Sequence, residues 1–91
     1  MIEQQGDRLH VRGPMTMGEA PRLRAAGLAA LAGGGARIDL TGVEAVDSSA
    51  LAVLLAWQRA AGRRLSFEGA SESLRSLATL YRLEDLLDPP A

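Results

Sequence analysis

Segments in which apolar and polar residues alternate recur along this chain, and they constrain its fold more than any other feature. In Arg8–Arg12, Leu9 and Val11 alternate with charged or polar side chains, and Ala36–Thr41 repeats the pattern. A period of two indicates a β-strand with one buried and one exposed face. Because the strands are not apolar throughout, the sequence predicts a sheet that helices cover on one face only.

Turn and helix signals between these segments give the order of the elements. Gly6-Asp7 separates Ile2–Gln5 from Arg8–Arg12 and indicates a hairpin, and Gly13-Pro14 is expected to end its second strand. Helices are expected at about Gly18–Ala32, at Ala50–Ala61 and from Ser71 onward. A further strand is expected around Leu65 and Phe67, and a last helical turn at Glu84–Asp88.

The predicted order is therefore β-β-α-β-α-β-α. Strands that alternate with helices are parallel and joined by crossovers, whereas the opening hairpin adds an antiparallel pair. The helix after Ser71 carries the clearest apolar stripe, formed by Leu74, Leu77, Ala78 and Tyr81. At 91 residues the chain has room for one core. We predict that residues 1–91 form one two-layer α/β domain, with a mixed sheet and helices mainly on one face.

Composition excludes several classes of protein. There is no cysteine, which excludes disulfides and thiolate metal sites, and the net charge of −1 argues against a nucleic-acid binder. The N-terminus lacks the pattern of a signal peptide, and the longest apolar run, Ala50–Trp57, is shorter than the roughly 20 residues of a membrane-spanning helix. We expect a soluble cytoplasmic protein that meets a membrane only through a partner.

Catalytic machinery is sparse in the sequence. His10 is the only histidine and lies on the polar face of a strand, where we expect it to be solvated. Asp39 and Asp47 could pair as two carboxylates, but the first lies within a strand and the second at a helix start. We expect no enzymatic activity, no metal site and no cofactor.

The stretch Asp47-Ser48-Ser49 precedes a helix that is apolar all round. All three side chains suit a helix N-terminus, where their oxygens accept hydrogen bonds from free backbone N–H groups. A hydroxyl at this point can also accept a phosphoryl group. In the helix, Leu51, Leu54 and Leu55 share the face expected to cover the sheet. Val53 and Trp57 form a second apolar face of this helix, with Ala50 beside them. This face either packs on a neighbouring helix or binds a partner.

These residues carry a resemblance to the STAS family of sulfate-transporter tails and anti-sigma-factor antagonists. The strand Ile38-Asp39-Leu40-Thr41, the segment Val46-Asp47-Ser48-Ser49-Ala50-Leu51 and the apolar helix resemble the family pattern, and the likeness spans nearly the whole chain. In the antagonist branch, the serine after the aspartate, here Ser48, is phosphorylated by a partner kinase. In the Mla-type phospholipid transporter branch, the same position and the adjacent helix contact an ATPase subunit.

The ending Leu77–Leu83 resembles the Leu-Ala-x-Leu-Tyr-x-Leu of the transporter branch, whereas Ser48-Ser49 is closer to the antagonist branch. At Ala50 both branches usually carry glycine, and the methyl group narrows the approach of a partner. The resemblance implies an accessory subunit that binds the ATPase subunit of an ABC transporter or, alternatively, an antagonist of an anti-sigma kinase. The partner-binding residues expected from it are Ser48, Ser49, Ala50, Val53, Trp57, Arg59 and Arg63.

Overall fold

The computed structural model describes residues 2–88 and contains the predicted order of elements. The strands are β1 (Ile2–Gln5), β2 (Arg8–Met15), β3 (Arg37–Val46) and β4 (Ser66–Glu68), and the helices are α1 (Ala20–Leu31), α2 (Ser48–Ala61), α3 (Glu72–Leu80) and α4 (Glu84–Leu87).

The strands form one mixed sheet in the order β1-β2-β3-β4. β1 and β2 pair as an antiparallel hairpin, while β2 with β3 and β3 with β4 are parallel. α1 and α2 each connect neighbouring parallel strands in the same direction across the sheet. Because such crossovers are right-handed, both helices lie on the same face. This arrangement confirms the predicted mixed α/β fold.

The alternation along the strands divides the sheet into a buried and an exposed face. Leu9, Ile38 and Phe67 stand in register on three neighbouring strands, and each is at most 5% exposed. One residue earlier on each strand, the row Arg8, Arg37 and Ser66 points away from the helices. The period-two pattern therefore predicted correctly which face the helices cover.

Two strands are longer than the sequence predicted. β2 continues through Gly13-Pro14 to Met15, and β3 continues to Val46. The pairing of β2 with β3 shifts register between His10 and Arg12 and again before Met15, and Gly13 has a φ of 86°. These irregularities let β2 bend past a proline instead of ending there. The extended β3 leads directly into α2.

The second apolar side of α2 faces α1. Trp57 is 0% exposed and its Nε1 donates a hydrogen bond to the carbonyl oxygen of Arg24, at 3.2 Å. Val53 is 2% exposed. Gly27 of α1 lies against the indole ring, where a side chain would have no room. Of the two alternatives that the sequence left open, packing on the neighbouring helix is the one observed.

α3 ends in a turn that favours glycine but contains Arg82. Leu83 N–H donates to the Ala78 carbonyl and Arg82 N–H to the Thr79 carbonyl, the pattern of a Schellman motif. Arg82 lies in the left-handed region with a φ of 59°. Tyr81, expected in the apolar stripe, follows the helix and is 53% exposed.

Replacing Arg82 with glycine is therefore expected to raise the free energy of unfolding by about 0.5–1 kcal/mol, because glycine adopts this conformation without a steric penalty. Arg82→Ala is the control, since alanine retains the Cβ atom and should give little gain. Urea denaturation of the three proteins measures the difference. Equal stability of the glycine and alanine variants would contradict this explanation.

Candidate functional site

The N-terminus of α2 is fixed by the carboxylate of Asp47. Its Oδ1 accepts a hydrogen bond from Ser49 N–H at 2.8 Å, which caps the helix as predicted. Its Oδ2 accepts a second hydrogen bond from Met17 N–H at 3.0 Å. The Met17 and Ser49 N–H groups lower the pKa of the Asp47 carboxyl, so the group is ionised at neutral pH. Asp47 thus holds the β2–α1 turn against the start of α2.

Ser48 is the exposed member of the predicted serine pair. It lies in the first turn of α2, and within residues 2–88 its Oγ makes no hydrogen bond. Ser49 is half-buried beside the cap. Ala50 is 0% exposed, so its methyl group packs in the core instead of standing between the helix start and a partner. The alanine that stands here in place of the family's usual glycine therefore does not obstruct a partner that approaches Ser48.

Exposed apolar side chains belong to segments that contact the residues just before Ser48. Met17, whose backbone N–H binds Asp47, is 75% exposed. Val46, two residues before Ser48, lines a groove with Leu77 and Leu80 of α3, and Leu80 is 73% exposed. We call this group, Met17, Val46, Ser48, Leu77 and Leu80, the Ser48 surface. Sequence reasoning missed Met17 and Leu80, although both stand outside the apolar stripes of their elements.

The other predicted partner-binding residues have different environments. The prediction that Val53 and Trp57 are exposed apolar anchors is wrong, because α1 covers both. Arg59 is exposed on α2. Arg63 donates to the backbone carbonyls of Leu31 and Gly35, so its guanidinium fastens the turn between α1 and β3. The exposed polar centre of the predicted site is therefore Ser48, with Arg59 further along the same helix.

The open face of the sheet holds the only histidine of the chain. His10 was expected to be solvated, but its Nδ1 lies 2.9 Å from Asp39 Oδ2 and both side chains are largely buried. Asp39 Oδ1 accepts hydrogen bonds from the Thr41 N–H and hydroxyl. Asp39 and Asp47 therefore have separate partners and do not form a carboxylate pair. Within residues 2–88 we find no cluster of three or more metal-ligating side chains.

Acid is expected to destabilise the protein through Asp39. The Thr41 N–H and hydroxyl, together with His10, lower the pKa of its carboxyl in the folded state. A carboxyl whose pKa is lower when folded stabilises the fold above its unfolded pKa, and that stabilisation is lost as pH falls through the folded value. Asp39→Asn should flatten the dependence of unfolding free energy on acidic pH, measured by urea denaturation. Glu44→Gln, on an exposed position of the same strand, is the control and should retain the slope of the parent protein. An unchanged slope in Asp39→Asn would refute the assignment.

A sheet covered on one face and a capped, hydroxyl-bearing helix start at its end define the class of small α/β binding domains with the STAS fold. The chain matches the family model described as "Mlab, STAS domain" over residues 1–88, and it belongs to that family. STAS domains mediate protein–protein interactions. Within residues 2–88, none of the helices has both the length and the apolar character needed to cross a bilayer.

Several solved structures resemble this chain. The anti-sigma factor antagonist SpoIIAA in its unphosphorylated form matches with a TM-score of 0.64 and 17% identity, covering 88% of this chain and 81% of that one. A crystal structure of Mglu matches with a TM-score of 0.55 and 25% identity over 79% of this chain, which spans 20% of the Mglu chain. No curated protein matches the sequence. The likeness to SpoIIAA concerns the fold.

Proposed function

We propose that this protein is a non-enzymatic accessory subunit that binds the ATPase subunit of a phospholipid-trafficking ABC transporter and regulates it. The observation that carries the proposal is the Ser48 surface, in which an exposed, free hydroxyl follows Asp47, the residue that binds the Met17 N–H, and Val46, which lines a groove with Leu80. Membership of the MlaB-type STAS family and the ending Leu77–Leu83 favour the transporter branch. The domain would meet the membrane only through the transporter.

The Ser48 surface suits a protein partner because of its chemistry and shape. Large apolar side chains at a protein surface favour burial against another macromolecule, and a polar group at the centre fixes the register of the contact. The groove that Val46, Leu77 and Leu80 line is open to solvent and is not the enclosed cavity that a small molecule requires. Its parts come from the β2–α1 turn, β3, α2 and α3, and Asp47 joins the turn to the start of α2.

The proposal predicts that Ser48→Glu weakens the complex with an ATPase encoded beside this gene by at least about 10-fold, because a buried unpaired carboxylate is costly at an interface. An acidic residue in the first turn is compatible with the helix dipole, so the fold should be retained. Ser66→Glu, placed beside Arg37 on the open sheet face, is the matched control. Co-purification and calorimetry measure the affinity. Equal affinity of Ser48→Glu and Ser66→Glu would refute a contact at Ser48.

A second candidate function is that of an anti-sigma-factor antagonist switched by phosphorylation of Ser48. The free and exposed Oγ at a helix N-terminus favours it, since the dipole stabilises the added negative charge. The hydroxyl oxygen would attack the γ-phosphorus of ATP, ADP would leave, and the proton would pass to a base of the kinase. Incubation with a kinase encoded nearby should then add one phosphate to the intact protein. Phosphate uptake by Ser48→Ala would show that the site is elsewhere.

A further inference from the structure

An open groove runs between α1 and α2. Its floor is formed by Leu28, Ala52, Leu55 and Ala56, and Ser49 lies at the end near the Ser48 surface. Arg24 stands on the α1 wall and Arg59 on the α2 wall. We call this feature the α1–α2 groove. No acidic side chain is among its lining residues.

The arginines of the groove differ from most other arginines within residues 2–88 because their side chains have neither an ion pair nor a hydrogen bond. Five arginines pair with carboxylates, namely Arg8, Arg12, Arg22, Arg37 and Arg75. Arg63 and Arg64 donate to backbone carbonyls. The three arginine side chains without a hydrogen bond or ion pair within residues 2–88 are Arg24, Arg59 and Arg82. Two of these three, Arg24 and Arg59, line the same largely apolar groove.

We propose that the α1–α2 groove binds an acidic, apolar peptide segment of the protein's partner, with carboxylates on Arg24 and Arg59 and apolar side chains on the floor. The inference rests on the proposed function, because the groove continues the Ser48 surface through Ser49, and it specifies the partner's chemistry. Charge complementarity supplies the argument: two unpaired guanidinium groups beside apolar surface favour carboxylates spaced along an apolar ridge. A peptide helix has that form and fits between two parallel helices.

A lipid is the less suitable occupant of the groove. An acyl chain needs an enclosed apolar cavity, whereas this groove is open along its length and its floor is broken by alanines. Guanidinium groups on two different helices can each bind a separate carboxylate of a peptide, whereas a lipid presents a single headgroup. A second copy of this chain is also less suitable, because its acidic apolar segment, α4, has Leu86 and Leu87 buried in its own core.

Selection of random 16-residue peptides displayed on phage tests the inference without a known partner. Enriched peptides should combine aspartate or glutamate with leucine, isoleucine or phenylalanine. The best of them, made synthetically, should bind about 10- to 100-fold more weakly to the Arg24→Gln/Arg59→Gln variant by fluorescence anisotropy. Arg82→Gln removes the third arginine without a side-chain partner, which lies outside the groove, and is the matched control expected to bind normally.

Several outcomes would overturn the inference. These are a failure to enrich peptides, enrichment of neutral or basic ones, and equal binding to the double variant. Binding of phosphatidylglycerol vesicles but not of the peptides would assign the groove to lipid. Arginine-dependent dimerisation in sedimentation experiments would assign it to a second copy.

The two proposals can fail separately. If peptides bind through both arginines but the ATPase does not bind at all, the groove proposal is retained and the proposed function is rejected. Full affinity of the Arg24→Gln/Arg59→Gln variant for the ATPase, together with loss of affinity in Ser48→Glu, would reject the groove as that partner's site and retain the Ser48 surface.

Discussion

Replacing Trp57 with alanine is expected to lower the free energy of unfolding by about 3–5 kcal/mol, a large share of the stability of a chain this size. The indole is fully buried between α1 and α2, and its N–H bonds the Arg24 carbonyl. Truncation would leave a cavity and remove the hydrogen bond between the two helices. Urea denaturation followed by circular dichroism measures the loss. Leu80→Ala, at a position that is 73% exposed, is the control and should change stability by about 0.5 kcal/mol or less.

Gly27→Ala tests the same contact from the other helix. In a helix interior this exchange normally stabilises by about 1 kcal/mol. Here the new methyl group would lie 2.1 Å from Trp57 Cε2, so the indole or α1 must shift. We expect a net destabilisation of about 1–3 kcal/mol. If Gly27→Ala raised the stability, or if Trp57→Ala folded normally but failed to bind the partner, Trp57 would be an exposed partner-binding residue, as the sequence analysis expected.

The second large effect is expected on binding. The double substitution Met17→Asp/Leu80→Asp should weaken the complex with the ATPase by about 100-fold or more, because each carboxylate would be buried without a partner at the interface. Both residues are mostly exposed in the free protein, at 75% and 73%, so its stability should change little. Isothermal titration calorimetry measures the affinity, and thermal unfolding verifies the fold.

The control for this pair is Gln5→Asp, an exposed position on β1 at the open sheet face. It adds the same side chain away from the Ser48 surface and should leave affinity unchanged. Loss of binding in Gln5→Asp, with full binding by the double variant, would move the interface to the sheet.

Local sequence signals predicted those parts of the structure that depend on neighbouring residues. The alternation around Leu9 and Ile38 gave the buried face of each strand, because side chains point to opposite faces with a period of two. The caps at Asp47 and Ser71 were predicted because each oxygen accepts from an N–H two or three residues later. Element order then followed from the connections between strands and helices.

Features that depend on contacts between distant segments were not predictable in the same way. The His10–Asp39 contact joins residues 29 positions apart and requires the register of β2 on β3. Whether Trp57 contacts a partner or packs in the core depends on how closely α1 approaches α2. Gly27 permits the close approach because it has no side chain. The Ser48 surface likewise combines a turn, α2 and α3, so Met17 and Leu80 carried no signal in the sequence that linked them to Ser48.

The central claim, that partners bind at the start of α2, is tested most directly by hydrogen–deuterium exchange of the protein alone and in its complex with the ATPase. Peptides containing Met17, Ser48 and Leu80 should gain protection together, while peptides from β1 and β4 at the two edges of the sheet should exchange as in the free protein. Protection confined to the strands, with unchanged exchange around Ser48, would contradict the account.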